Sequence, residues 1–265
     1  MGSAKAALEW HGSTLLRRVA GIIGRSVDGP VIVVRAPGQE LPELDHTVEV
    51  VQDAREGRGP LQGLAAGLAA VGERAPVAYV SSTDVPFLHP AFIRRVLGLL
   101  TDDVDLVLPE VGGYPQPLAA AYRTCLHRVV EELVAAGRLR PAFLFDRCRV
   151  LRVGERELLD DPRLARVDPQ LSSVMNLNER PDYERARAMP PPAVTVERFG
   201  TLAARSGVRL QTVHACTVGA AAETVGVTLD EHVVAALNGD QISRDPELPL
   251  AGGDTLALLA ADAGG

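Results

Sequence analysis

Lysine is nearly missing from this 265-residue chain: Lys5 stands alone beside 26 arginines. Cysteine is scarce too. Cys125, Cys148 and Cys216 are odd in number, scattered and without CxxC spacing, which excludes a disulfide framework and a cysteine zinc site and points to a reducing cytoplasm. No apolar run reaches the length of a membrane span, and the N-terminus has no signal-peptide pattern. With a net charge of −7 the chain has no basic excess with which to grip nucleic acid. A cytoplasmic globular protein is expected. Its acidity still permits nucleotide binding where a metal ion and a few local cations offset the phosphates.

What is present begins with that one lysine. An ammonium is a compact point charge on a flexible stem, whereas a guanidinium is a planar fork, and phosphates that move through a reaction suit the former. Lys5 is therefore a candidate phosphate contact, although a lone surface lysine leaves the same trace.

Three consecutive prolines, Pro190-Pro191-Pro192, cannot continue the helix suggested by 183–188 and form a stiff spacer. They divide the chain into 1–188, a linker at 189–192, and 193–265. Charge shifts there as well. The last part carries 4 basic and 9 acidic side chains, a net of −5, against −2 before it.

Upstream of the linker, Leu15, Leu16, Val19, Ile22 and Ile23 follow helical spacing. Residues 31–34, 47–51, 77–81 and 105–108 read as strands, with helices at 61–71 and 90–100 between them. Apolar strands alternating with helices predict a doubly wound, mostly parallel α/β sheet covered on both faces. Downstream, 193–199 and 208–214 alternate as a strand pair, 217–225 suits a short helix, and 233–237 and 255–259 are further strands. That ββαββ order predicts a small β-grasp, ubiquitin-like domain.

Several polar clusters lie on these elements. Asp84, in Ser82-Thr83-Asp84-Val85-Pro86, follows a strand's C-terminal end, the edge where open α/β sheets bind ligands. One carboxylate there can hold Mg²⁺ against a triphosphate, and an aspartate capping the next turn fits the same pattern. Asp53 precedes a Gly-rich turn and Gly59-Pro60-Leu61, whose helix N-terminus could meet a base, ribose or phosphate. Gln116-Pro117-Leu118 precedes a further apolar strand. Asn176 and Asn178, two residues apart on an extended segment, face the same way and can read a heteroaromatic edge or serve as turn residues. His89 reads as opening the next helix rather than as a catalytic base.

Taken in order, these pieces resemble the molybdenum cofactor guanylyltransferase family of nucleotidyltransferases over about residues 1–188. The carriers are Met1-Gly2-x-x-Lys5, Asp53 with Gly59-Pro60-Leu61-x-Gly63, Thr83-Asp84-Val85-Pro86, Gln116-Pro117-Leu118, and Asn176-x-Asn178-x-x-Pro181-Asp182. The resemblance implies transfer of GMP from GTP to the terminal phosphate of molybdopterin, with Mg²⁺ as cofactor. It implies Lys5 at the nucleotide phosphates, Asp53 at the nucleotide, Asp84 at the metal, and Gln116, Asn176 and Asn178 on the pterin side. In such relatives a first strand and a Leu-Ala-Gly-Gly-x-Ser-x-Arg loop stand just ahead of the position of Met1. Activity is therefore expected of a chain extended upstream, and an inactive scaffold is the rival reading. Arg35-Ala36-Pro37-Gly38 stands where the family has an Asn, and Gln116 where many members have His. A related cytidylyltransferase activity is the other alternative, with Gly59-Pro60-Leu61 leaning towards guanine.

The chain ends Ala263-Gly264-Gly265. Two terminal glycines on a β-grasp pattern resemble the small sulfur-carrier subunit of molybdopterin synthase, with the thiamine sulfur carrier as runner-up. That resemblance implies a thiocarboxylate at Gly265. It also implies the synthase large subunit and an E1-like adenylating enzyme as partners.

Overall fold

The computed structural model describes residues 5–53 and 59–260. The expectations for Gly264 and Gly265, and for the turn at 54–58, lie outside the described residues. The chain opens with α1 (Leu15–Gly24), whose N-cap Thr14 accepts from the Arg17 amide, and β1 (Val31–Arg35) and β2 (Val48–Gln52) follow. Next come α2 (Pro60–Val71), β3 (Val77–Ser81), α3 (Pro90–Gly98), β4 (Leu106–Val111), β5 (Tyr114–Pro115) and β6 (Ala119–Arg123). Then come α4 (His127–Ala135), α5 (Ala142–Phe145), β7 (Val150–Gly154), α6 (Glu155–Leu159), α7 (Pro162–Val167) and α8 (Arg180–Arg187). The last stretch holds β8 (Ala193–Arg198), α9 (Gly200–Ser206), β9 (Leu210–His214), α10 (Val218–Thr224), β10 (Val233–Leu237), β11 (Gln241–Ser243) and β12 (Thr255–Ala260).

The expectation of a mostly parallel first sheet is corrected. β1 and β2 form a parallel pair of their own. The neighbouring sheet runs β3-β6-β4-β5, with β7 also on β4, and β6 lies antiparallel to both β3 and β4. The cause is connection length. Between β4 and β6 lies only a Gly112-Gly113 turn and the short β5, too few residues for the helical crossover a parallel return requires. The apolar run through β6 reveals a strand but not its direction. Both faces of this sheet are covered. Val107 and Ala121 pack with Val19, Phe92 and Ile93 on one side, while Leu106, Leu108 and Tyr122 pack with Leu61, Leu68 and Leu133 on the other.

The remaining sheet runs β11-β10-β12-β8-β9, with β12 and β8 parallel at its middle and the other pairings antiparallel. Its core is a separate cluster in which Val194, Val196, Leu256 and Leu258 meet Val218, Ala221 and Ala222 of α10. The short α9 and β11 are additions to the ββαββ expectation.

Helix α1 joins this sheet to the rest. Arg18, buried in the middle of α1, donates from Nε to the Pro86 carbonyl at 2.5 Å, and from its Nη atoms to the carbonyls of Leu250 at 3.2 Å and Cys216 at 3.3 Å. At the C-cap of the helix, Arg25 grips Asp254 through both oxygens at 2.7 and 2.6 Å and the Pro249 carbonyl at 2.7 Å. Burial pushes the Asp254 carboxyl pKa up, but Arg25, Asn238 and the Ala251 amide outweigh it, leaving the carboxyl below its ordinary range. Gly21 completes the fit: a Cβ there would lie 2.7 Å from the Pro249 ring. A mid-helix glycine normally costs about 1 kcal/mol against alanine, so Gly21→Ala should gain propensity, yet here it should destabilise. Denaturant unfolding checks the sign.

His89 belongs to the same junction. Its Nδ1 accepts from the Ala91 amide at 3.0 Å, capping α3, so the proton sits on Nε2, which donates to the Gly252 carbonyl at 3.0 Å. Burial, aided by Arg25, lowers its pKa below 6.5 despite the Gly252 contact and the pull of Asp254 and Asp168. The folded state therefore keeps His89 neutral at pH values where the unfolded chain protonates it. Stability should hold above about pH 6.5 and fall progressively below it. Because burial lowers His11 as well, His89→Asn, which keeps a capping oxygen, should flatten only part of that slope in unfolding midpoints taken from pH 8 to 5.

Candidate active site

The carboxyl end of β3, the amino end of β6 and the segment before α8 converge through backbone bonds. The Ser82 amide donates to the Leu118 carbonyl at 3.0 Å, and the Leu177 amide donates to the Asp84 carbonyl at 2.9 Å. Ser82 Oγ donates to Asn176 Oδ1 at 3.1 Å. Three of the sequence clusters, around Asp84, Leu118 and Asn176, are thus brought to one edge. Leu177 is buried, and the flanking Asn176 and Asn178 are both exposed, as two-residue spacing requires.

Lys5 arrives at this edge from the N-terminus. Its Nζ donates to Asp84 Oδ2 at 3.1 Å, with side chains 26% and 17% exposed. The segment behind it is pinned. Trp10 packs in a buried cluster with Leu15 and Leu177, edge-on to Phe87 at 5.6 Å between ring centroids. Tyr183 Oη donates to the Glu9 carbonyl at 2.5 Å, and Arg187 pairs with the Glu9 carboxylate at 2.5 Å. Ser82, Trp10, Tyr183 and Arg187 escape sequence reasoning because each acts on a residue far along the chain. Only the repeated serine before Asp84 offers a local signal.

Asp53 sits at the carboxyl end of β2, its amide donating to the Arg35 carbonyl at 2.8 Å and its Oδ1 accepting from Gln62 Nε2 of α2. The helix begins at Pro60, after Gly59 with φ +76°, a backbone setting that glycine supplies without strain. Gln116 behaves differently. Its side-chain amide turns into its own hairpin, donating to the Tyr114 carbonyl at 3.2 Å and to the Val111 carbonyl at 3.5 Å rather than to Asp84 or Asn176. His89 caps α3, which removes it from base duty.

Among the described residues no group of three or more His, Cys, Asp or Glu side chains could hold a metal ion. A divalent cation at Asp84 would therefore take one protein carboxylate and fill its shell with phosphate oxygens and water, the habit of Mg²⁺. In this structure Lys5 neutralises that carboxylate. The arrangement can bind a metal–polyphosphate at the open edge of an α/β sheet, which is the work of a nucleotidyltransferase.

Comparison with known proteins agrees. Residues 1–149 match the MobA-like NTP transferase domain. A relative from Desulfosudis oleivorans named molybdenum cofactor guanylyltransferase is 34% identical over 188 residues, covering 71% of this chain and 87% of that protein. A probable molybdenum cofactor guanylyltransferase of Mycobacterium tuberculosis is 38% identical over 157 residues, covering 58% and 76%. The fold is shared with molybdopterin-guanine dinucleotide biosynthesis protein A of Archaeoglobus fulgidus (TM-score 0.53, 20% identity), covering 69% of this chain and 88% of that one. The chain belongs to the MobA-like NTP transferase family and is an enzyme of the nucleotidyltransferase class. No described helix is long and apolar enough to cross a membrane.

Because the Asp84 contact that shapes the backbone runs through its carbonyl, Asp84→Asn should leave the fold standing. A single, partly solvent-exposed pair of this kind contributes about 1 kcal/mol, so the unfolding free energy of Asp84→Asn should stay within about that margin of the parent.

Proposed function

We propose that the first part of the chain transfers GMP from GTP to the terminal phosphate of molybdopterin and releases pyrophosphate. The observation that carries this reading is the Lys5–Asp84 pair at 3.1 Å beside Asn176, at a sheet edge in a member of this family. A phosphate oxygen of the pterin attacks the α-phosphorus in line, the new P–O bond forms, and the bond to pyrophosphate breaks. Asp84 would hold Mg²⁺, which supplies charge neutralisation at the phosphates. Lys5 swings from Asp84 to the departing pyrophosphate and steadies its negative charge. Asp53, held by Gln62 at the mouth of α2, lies on the nucleotide side. Asn176 and Asn178, exposed together, lie on the pterin side with Gln116 at its margin.

Pyrophosphate release from GTP and molybdopterin with Mg²⁺ tests the reading, on the chain as given and on one extended upstream with the loop named above. Asp84→Asn should abolish turnover in whichever form is active; release at the parent rate would remove the metal assignment. Lys5→Arg should cost more than about 1 kcal/mol in kcat/KM, roughly fivefold, because the fork does not replace a point charge between phosphates. A tenfold excess of CTP should not compete, and equal competition would favour the cytidylyltransferase alternative. Absence of turnover in both forms would favour the scaffold reading.

For the second sheet we propose a β-grasp sulfur carrier for molybdopterin synthesis. Parallel β8 and β12 at its centre, antiparallel neighbours outside and α10 across one face support this. β12 begins beside Asp254 at the junction and runs away from it to Ala260. The partners that this reading implies are an E1-like adenylating enzyme and the synthase large subunit. Incubation with an E1-like enzyme, ATP and a sulfur donor should exchange one oxygen for sulfur at Gly265, seen in the intact mass. Deleting Gly265 should prevent it, and an exchange surviving the deletion would remove the carrier reading.

A further inference from the structure

A cavity of about 310 Å³ lies between α1, the loop after β3, the proline linker and the loops at the near end of the second sheet. None of Lys5, Asp53, Asp84 or Asn176 lines it. Its walls come from both sides of the linker: Trp10 and Phe87 from the first part, Cys216 and Ala251 from the second. Met189, 49% exposed, stands at the rim. The volume is at the small end of the range, about 300–1,000 Å³, that ligand pockets occupy. Trp10 packs edge-on to His11 at 5.3 Å and to Phe87 at 5.6 Å between ring centroids. The surface offered to a guest is therefore mainly aromatic and aliphatic.

One wall carries a charge that the protein leaves unanswered. Arg18 is 5% exposed, and no described carboxylate stands within 4.0 Å of its guanidinium. The carbonyls of Pro86, Cys216 and Leu250 engage Nε, Nη1 twice and Nη2 once, which leaves one Nη2 hydrogen over. Carbonyls offer partial charge only, and a buried cation is ordinarily paired with an anion. Burial pulls the Arg18 pKa down and Asp254 opposes it, but both Asp254 oxygens are already held by Arg25. Asp168, the acid that lines the cavity, turns its two oxygens to the amides of Ser172 and Ser173. Trp10 Nε1 is buried without a hydrogen-bond partner, with the weakly accepting Cys216 thiol as its neighbour. Among the described residues this wall thus has more donors and positive charge than acceptors to meet them.

We propose that the cavity binds a small monocarboxylate with an aromatic or cycloaliphatic body, its carboxylate against Arg18 and its ring among Phe87, Ala186 and Met189. The carboxylate supplies the negative charge that Arg18 lacks, and the ring covers apolar wall. Because the walls belong to both parts of the chain, the guest binds only their docked arrangement and stabilises it by mass action. The inference concerns the junction and does not rest on the transfer reaction.

Trp10 is the only tryptophan of the chain, so its fluorescence reports on the cavity directly. Phenylacetate titrated into the full chain should change that emission saturably and raise the midpoint of thermal unfolding. Phenylacetamide, of the same shape without the charge, should bind at least about tenfold more weakly. Met189→Glu sets a carboxylate at the rim without touching the core, and should weaken phenylacetate binding by about tenfold. Ile242→Glu sets the same charge on β11, where the side chain is 74% exposed, and should leave the affinity within about twofold of the parent. Absence of a saturable change would overturn the proposal. So would equal affinity for acid and amide, or binding to Met189→Glu as tight as to Ile242→Glu.

Discussion

The structure turns on α1 and the two arginines it presents to the second sheet. A buried guanidinium is tolerable only where its donors are met, and Arg18 is met by three carbonyls drawn from Pro86, Cys216 and Leu250. Pro86 lies two residues beyond Asp84, so the bond that anchors the second sheet also fixes the loop bearing the candidate catalytic carboxylate. Arg25 repeats the device on Asp254, whose remaining lone pairs are taken by Asn238 and Ala251. Replacing one member of such a set leaves the others buried and unpaired, a loss of about 3–5 kcal/mol. Ala251 itself lies in the first core, which makes the junction a shared piece of packing rather than a loose tether.

From that junction the candidate site follows. The same N-terminal stretch that feeds α1 carries Trp10, held against Phe87 and Leu177, and so brings Lys5 to Asp84. Asn176 and Leu177 are fastened to the loop after β3 by one side-chain and one backbone bond. Carboxylate, ammonium and amide thus sit on rigid supports at the open end of the sheet, where a metal–polyphosphate can approach from solvent.

Much of this was legible in the sequence, for physical reasons. Val31–Arg35 and Val77–Ser81 are short apolar runs between turn residues, and α1 shows its buried stripe in Leu15, Leu16, Val19 and Ile22. Asp84 and Asn176 could be named because strand ends and extended segments fix where such side chains point. Strand direction was not legible. The return of β6 antiparallel depends on how few residues join it to β4, and apolar composition does not encode that. Nor were the roles of Arg18 and Arg25, whose partners at Pro86, Cys216 and 249–254 lie far along the chain. The inward turn of Gln116 into its own hairpin is likewise a matter of local geometry that its motif does not reveal.

The central claim is that Asp84 marks where a divalent cation and a nucleotide triphosphate meet this chain. Paramagnetic broadening of amide resonances by Mn²⁺ in the presence of GTP tests it most directly. The account predicts broadening centred on Lys5, Ser82, Asp84 and Asn176 that requires GTP, disappears in Asp84→Asn, and leaves Asn238 and Gly252 sharp. Broadening centred elsewhere, or undiminished by that substitution, would contradict it.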